Sequence, residues 1–180
     1  MTLPTQPDTG PRVASIHERA ALKAVVEQYQ QPLGSYLLHL IGDPDLALRV
    51  TEEAFVHAYR ADAVREPGDV LHLWLYRVAT LLAYRRLRPH TRTLAPAGLQ
   101  PEHAVPIPQV YQPDERNQVE GVLRDLCPDE RAVLLLSELL RLPHDEVALI
   151  LGASPDQIAK LLAIARAHFR LAYVAHDALV

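Results

Sequence analysis

The chain is predicted to be all-α, folded as two small helical modules joined by a proline-rich linker. Three observations carry that prediction. Apolar residues recur at spacings of three and four in one segment after another. No segment alternates convincingly between apolar and polar at period two, as a half-buried strand would. Pro89, Pro96, Pro101, Pro106, Pro108 and Pro113 crowd into a stretch that has no apolar periodicity. Proline lacks an amide donor and favours extended backbone, so 89–113 reads as a semi-rigid tether between modules at 13–88 and 114–176.

The first module reads as four helices: Ile16–Gln30, Pro32–Ile41, Pro44–Tyr59 and Asp69–Arg88. Gly42-Asp43-Pro44 supplies a turn followed by a helix start. In the fourth helix Leu71, Trp74, Leu75, Val78, Leu81 and Leu82 recur at helical spacing and form a stripe expected to be buried. The second module reads as Arg116–Leu126, Pro128–Arg141, His144–Leu151 and Pro155–Tyr173. Gly152 falls where a tight inter-helix turn needs positive φ, Ser154 can cap the next helix, and Pro155 suits its first turn. The last two helices thus form a helix-turn-helix, a geometry that presents its second helix to the major groove of DNA. The two halves are unlike, so the chain has no internal repeat.

Composition narrows the function classes. With 49% hydrophobic residues the chain can build a core, and its formal charge of −4 argues against a surface that traps nucleic acid everywhere. Any DNA contact must be local. The single cysteine, Cys127, excludes an intramolecular disulfide framework and a multi-cysteine zinc site, and suits a reducing compartment. No apolar run has the length to cross a bilayer, and Met1–Arg12 lacks a signal peptide's apolar core, so a cytoplasmic protein is expected. Enzyme chemistry finds no foothold. The nine histidines form no His-Glu-x-x-His array, and His168 and His176 stand two turns apart, too far for one metal ion. Glu52-Glu53 and Asp145-Glu146 are adjacent, so on a helix their carboxylates diverge by about 100°. No cofactor and no metal is expected.

Two motifs together carry a family resemblance. Asp145-Glu146-Val147-Ala148, Leu151-Gly152 and Ser154-Pro155 follow Trp74-Leu75-Tyr76-Arg77 at the right distance and order. Over roughly residues 20–175 the chain resembles an extracytoplasmic-function sigma factor, the small two-domain kind that directs bacterial RNA polymerase to promoters. The resemblance implies RNA polymerase core and promoter DNA as partners, with an anti-sigma factor or other regulatory protein in addition, and neither membrane nor small-molecule substrate.

The resemblance also assigns surfaces. The segment matching Ala47–Phe55 would dock on the polymerase clamp, where the family usually carries Asp and Gln; this chain has Arg49 and Glu52, while Glu53, Ala54 and Phe55 match. A base in place of an acid turns attraction into repulsion on such a face. The fourth helix would engage the melted promoter strand. Residues 69–92 hold Arg77, Arg85, Arg86, Arg88 and Arg92 against a single acid, Asp69. Arg77, Thr80, Tyr84 and Arg88 are spaced to line one side opposite the apolar stripe. The family's Arg-Asn pair is Thr80-Leu81 here, and leucine cannot hydrogen-bond a base.

In the final helix Ile158, Leu161, Leu162, Ala165, Phe169 and Ala172 fall on one face and are expected in the core. Asp156, Lys160, Ala163, Ile164, Ala167 and Arg170 then face outward. The family's usual Thr, Lys and two Arg along this helix are Gln157, Ala159, Leu161 and Ile164, so DNA contact would fall to Gln157, Lys160, Arg166 and Arg170. Ala163 and Ile164 instead suit the helix of a protein partner. Two functions follow: a diverged sigma factor that binds polymerase and promoter, or a degenerate sigma mimic that acts through protein–protein interaction.

Overall fold

The computed structural model describes residues 16–61, 70–87 and 115–177, and within them every regular element is a helix. The tether 89–113, with Arg88 and Arg92, lies outside the described residues. The first module contains α1 (Ile16–Ile41), α2 (Pro44–Arg60) and α3 (Leu71–Leu87). The second contains α4 (Glu115–Asp125), α5 (Pro128–Leu134), α6 (His144–Leu151) and α7 (Pro155–Asp177).

The two helices expected over 16–41 are one, with Pro32 inside it. Pro32 is exposed, so the carbonyl that its missing N–H leaves free can meet water. Meanwhile Leu33, Tyr36, Leu37 and Leu40, at helical spacing, are buried against the core and hold the following turns in place. Gly42 ends α1 at φ +79°, a conformation that costs glycine little. Asp43 then caps α2, its Oδ1 accepting from the Leu46 amide at 2.9 Å, and Pro44 opens the helix.

On α3 the buried positions are Leu71, Leu75, Tyr76, Ala79, Thr80, Leu82 and Ala83. The buried face is therefore rotated from the expected stripe: Leu71, Leu75 and Leu82 are buried, Trp74 and Val78 are only half-buried, Leu81 is 47% exposed, and Thr80 is 2% exposed. The cause lies on α1. Tyr36 meets Tyr76 edge to face at 5.4 Å, and its hydroxyl lies 2.8 Å from Thr80 Oγ1, which itself donates to the Tyr76 carbonyl at 2.7 Å. Small residues at 79, 80 and 83 leave room for the tyrosine, and Thr80 satisfies its hydroxyl.

The helix expected over Pro128–Arg141 begins as α5 and widens into a π-helical stretch, Leu135–Leu139, closed by the Leu140 amide on the Leu135 carbonyl at 3.0 Å. Arg141, at φ +54°, then turns the chain toward α6. Helix α6 ends at Gly152, φ +69°, and α6 and α7 meet at 95°. Ser154 Oγ accepts from the Gln157 amide at 3.3 Å while Gln157 Oε1 accepts from the Ser154 amide at 2.8 Å, a reciprocal capping box that starts α7. Ile158, Leu162 and Ala165 are buried as the periodicity implies, whereas Leu161, Phe169 and Ala172, also expected in the core, are only half-buried at its edge.

The modules are docked. Buried side chains from α1, α2 and α3 continue without a break into those of α5, α6 and α7, and α3 packs on α6. Within this seam the Arg131 guanidinium donates to the carbonyl of Leu40 at 2.7 Å, near the end of α1. It also donates to Arg124 and Leu126 at 2.8 and 3.0 Å, where α4 ends. One side chain thereby satisfies free carbonyls at the C-terminal ends of two helices from different modules. Burial pushes its pKa from 12.5 down to about 10, which still leaves it charged at neutral pH.

Candidate nucleic-acid and partner interfaces

Helix α2 presents an outward face on which Arg49 and Glu52 are exposed, beside Leu48 and Val56. Both charges are thus free to meet a partner. Glu53 is already engaged: its Oε2 accepts from Arg86 of α3 at 3.0 Å. That pair ties α2 to α3 and removes Arg86 from the set of unpaired cations. Phe55 points inward and is buried.

Arg77, Thr80 and Tyr84, the described members of the set expected to line one side of α3, are not on one free surface. Thr80 is a core residue, as above. Tyr84 is half-buried, with its hydroxyl shielded from solvent and in no hydrogen bond of ordinary geometry. Burial, reinforced by the nearby Asp129 carboxylate of α5, holds its phenol protonated well above the usual range. Burial likewise raises the pKa of the Asp129 carboxyl. Arg77 is exposed yet donates to the carbonyl of Leu149 at the end of α6. Arg85 remains exposed. One turn before Arg77, His72 stands 3.5 Å from Glu146 of α6. Of the face that spacing alone predicted, Arg77 and Tyr84 therefore adjoin the second module, whereas Thr80 packs on α1.

On α7 the outward positions are those expected: Asp156, Lys160, Ala163, Ala167 and Arg170 are exposed, and Ile164 is 38% exposed. Of the four candidate DNA contacts, two have prior engagements. The Gln157 oxygen closes the capping box, and Arg166 Nε donates to Glu138 at 2.8 Å. Lys160 and Arg170 are left as its outward cations. The inner edge of α7 is held by two histidines, His168 on Glu130 and His176 on Asp125, each at 2.8 Å.

Sequence reasoning missed Arg131, Glu138 and the Leu149 carbonyl. Arg131 carries a faint signal, since it directly precedes the apolar run Ala132–Leu136. The Leu149 carbonyl carries none, because every residue has one. No group of three or more metal-ligating side chains occurs among the described residues, and no single described helix is long and apolar enough to cross a membrane.

The chain thus has an arginine-bearing helical module followed by a helix-turn-helix module whose final helix faces outward. Residues 25–93 match the family model for Sigma-70 region 2, and residues 116–169 match that for Sigma-70, region 4. The chain belongs to the extracytoplasmic-function (ECF) sigma factors. It is 27% identical over 150 residues to the probable RNA polymerase sigma-C factor of Mycobacterium bovis, covering 81% of this chain and 80% of that one. It is 28% identical over 149 residues to the ECF RNA polymerase sigma-E factor of Escherichia coli, covering 74% and 76%. Its fold is similar to that of the sigma factor RpoE of Bartonella quintana, solved with the anti-sigma factor NepR, at a TM-score of 0.64 and 19% identity over 83% of this chain and 94% of that one. CnrH, solved with the cytosolic domain of CnrY, is similar at a TM-score of 0.63 and 18% identity, over 89% and 96%.

Proposed function

We propose that this chain initiates transcription as a sigma factor with altered contact surfaces. It binds RNA polymerase core through the α2 face at Arg49 and Glu52. It meets promoter DNA through Arg77, Arg85 and neighbouring residues of α3, and through Lys160 and Arg170 of α7. The observation that carries this reading is the presence of both region 2 and region 4, in that order, in one chain. The alternative, a degenerate mimic without polymerase or DNA binding, is less well supported, because the relatives compared above carry sigma-factor names. An anti-sigma factor is the proposed regulator. One fold neighbour was solved with the anti-sigma factor NepR and another with the cytosolic domain of CnrY, and Ala163 and Ile164 offer an apolar outward patch to a partner helix.

The test is complex formation between the purified full chain and bacterial core polymerase. Against a core from another bacterium, whose clamp meets Asp and Gln at these positions, Arg49 should weaken binding. Mispairing one member of an interfacial charge pair commonly costs about 2–5 kcal/mol, or roughly 30-fold to several-thousand-fold. Arg49→Asp combined with Glu52→Gln should recover part of that. Tight wild-type binding that the double substitution leaves unchanged would place the docking face elsewhere. No binding to the core polymerase of the chain's own source would overturn the proposal.

A further inference from the structure

Resting on the sigma-factor reading, we propose that Glu138 withholds Arg166 from DNA, so that α7 carries a further phosphate contact that engages only when a phosphate displaces the carboxylate. The geometry of the pair carries this. Arg166 Nε donates to Glu138 Oε1 at 2.8 Å, and Nη2 donates to the same oxygen. These donors form a fork with which a guanidinium can grip a phosphate, and the carboxylate oxygen stands where a phosphate oxygen would. The pair is neutral as a whole. Arg166 therefore adds nothing to the outward charge of α7 while Glu138 holds it, although it precedes the exposed Arg170 by one turn on the same side of the helix. Glu138 is thus a positioning residue: it touches no nucleic acid and acts through Arg166.

The π-helical stretch brings Glu138 to this edge. Seven residues make nearly two turns of an α-helix, so an unbroken α5 would return Glu138 to the face of Arg131, which is buried together with Leu134 and Leu135. The wider turn over Leu135–Leu139 rotates it out of that face, and its side chain stands 51% exposed beside Arg166 at 50%. The acids of α5 are committed elsewhere, Glu130 to His168 and Asp129 beside Tyr84. Exposure sets the strength of the hold. An ion pair at this depth is screened by water and adds little to the stability of the fold, so its main effect is on the charge that α7 presents. The phosphates of a duplex, closely spaced along its axis, can then compete with one carboxylate for the guanidinium.

The test is a double-substitution cycle in the full chain, read as the salt dependence of binding to a fluorescent duplex DNA of mixed sequence between about 50 and 200 mM salt. Glu138→Gln keeps the side chain's size and removes its charge. It should tighten binding roughly twofold to fivefold and steepen the slope of log affinity against log salt by about 0.9, one added phosphate contact. Glu138→Ala, which shortens the side chain as well, should do the same. Arg166→Gln alone should leave the slope unchanged, and in the Glu138→Gln background it should return the slope to the parental value. An effect of Glu138→Gln that persists in the Arg166→Gln background would mean a general loss of negative charge and would overturn the proposal. So would a shallower slope with Arg166→Gln alone, since the arginine would then be engaged already, or weaker binding by Glu138→Gln, since the carboxylate would then be orienting the guanidinium for DNA. Absence of duplex binding in the Glu138→Gln chain would overturn it too, and complex formation with core polymerase, measured on the same preparations, reports separately on the sigma-factor reading.

Discussion

Thr80 illustrates how much one hydroxyl can decide. It receives the buried Tyr36 hydroxyl, whose phenol burial holds protonated well above its ordinary range, and passes its own proton to the Tyr76 carbonyl. Thr80→Val keeps the shape but strands the Tyr36 hydroxyl in the core, which should cost about 1–3 kcal/mol. Tyr36→Phe removes the stranded group as well and should cost less, about 0.5–1.5 kcal/mol. Urea unfolding of the two variants should show that order, and the reverse order would mean that Thr80 is not the acceptor. Cys127 gives a second residue-scale expectation. Although it reaches solvent, the protein packed around its thiol pushes the pKa up from 9.0 to about 11. At pH 8 the reactive thiolate is then about a hundredfold scarcer than in the unfolded chain, and alkylation by iodoacetamide should slow by about that factor. Below the unfolded value both states hold the proton and the group is silent. As pH rises from about 9 to about 11 the folded state alone resists ionisation, so stability should fall across that window.

At the scale of elements, the turn from α6 to α7 is specified by residues within it. Ser154→Ala removes the acceptor for the Gln157 amide and should cost about 1 kcal/mol, with amide exchange accelerating first in the opening turn of α7. Gly152→Ala should cost about 1–2 kcal/mol, and the cause is backbone alone, since the added Cβ would find only ordinary contacts near Arg77. A Gly152→Ala variant as stable as the parent would show that the turn adopts another path. This turn was legible in advance because capping and positive φ involve atoms only a few residues apart. The π-helical widening after Leu134 was not, because Leu135–Leu139 reads as an ordinary continuation of an apolar helix, and the fusion of 16–41 across Pro32 depends on α1 being anchored by neighbours beyond its own sequence.

Across the whole molecule, the shared core predicts cooperativity that two independent modules would lack. Because α3 packs on α6 and Arg131 bridges α1 and α4, calorimetry of the full chain should show one unfolding transition rather than two. Arg131→Met, of similar length but without donors, leaves the Leu40, Arg124 and Leu126 carbonyls short of partners and should separate that transition into two or lower it by several degrees. Two transitions already present in the parent chain would mean that the seam contributes little.

The sequence by itself determined the all-helical class, the positions of most helix ends, the helix-turn-helix, the buried and outward faces of α7, and the family. Each of these follows from periodicity, capping residues or local motifs, interactions that act within one or two turns of chain. Tertiary structure alone decided that Thr80 rather than Leu81 enters the core, that Glu53 and Arg86 are spent on each other, and that the exposed Arg77 is bonded to another module. A helical wheel gives the angle at which a side chain leaves its helix, but not what stands opposite. Tyr36 lies 44 residues from Thr80, and Leu149 lies 72 from Arg77, so the partners that fix these roles are brought near only when the helices pack.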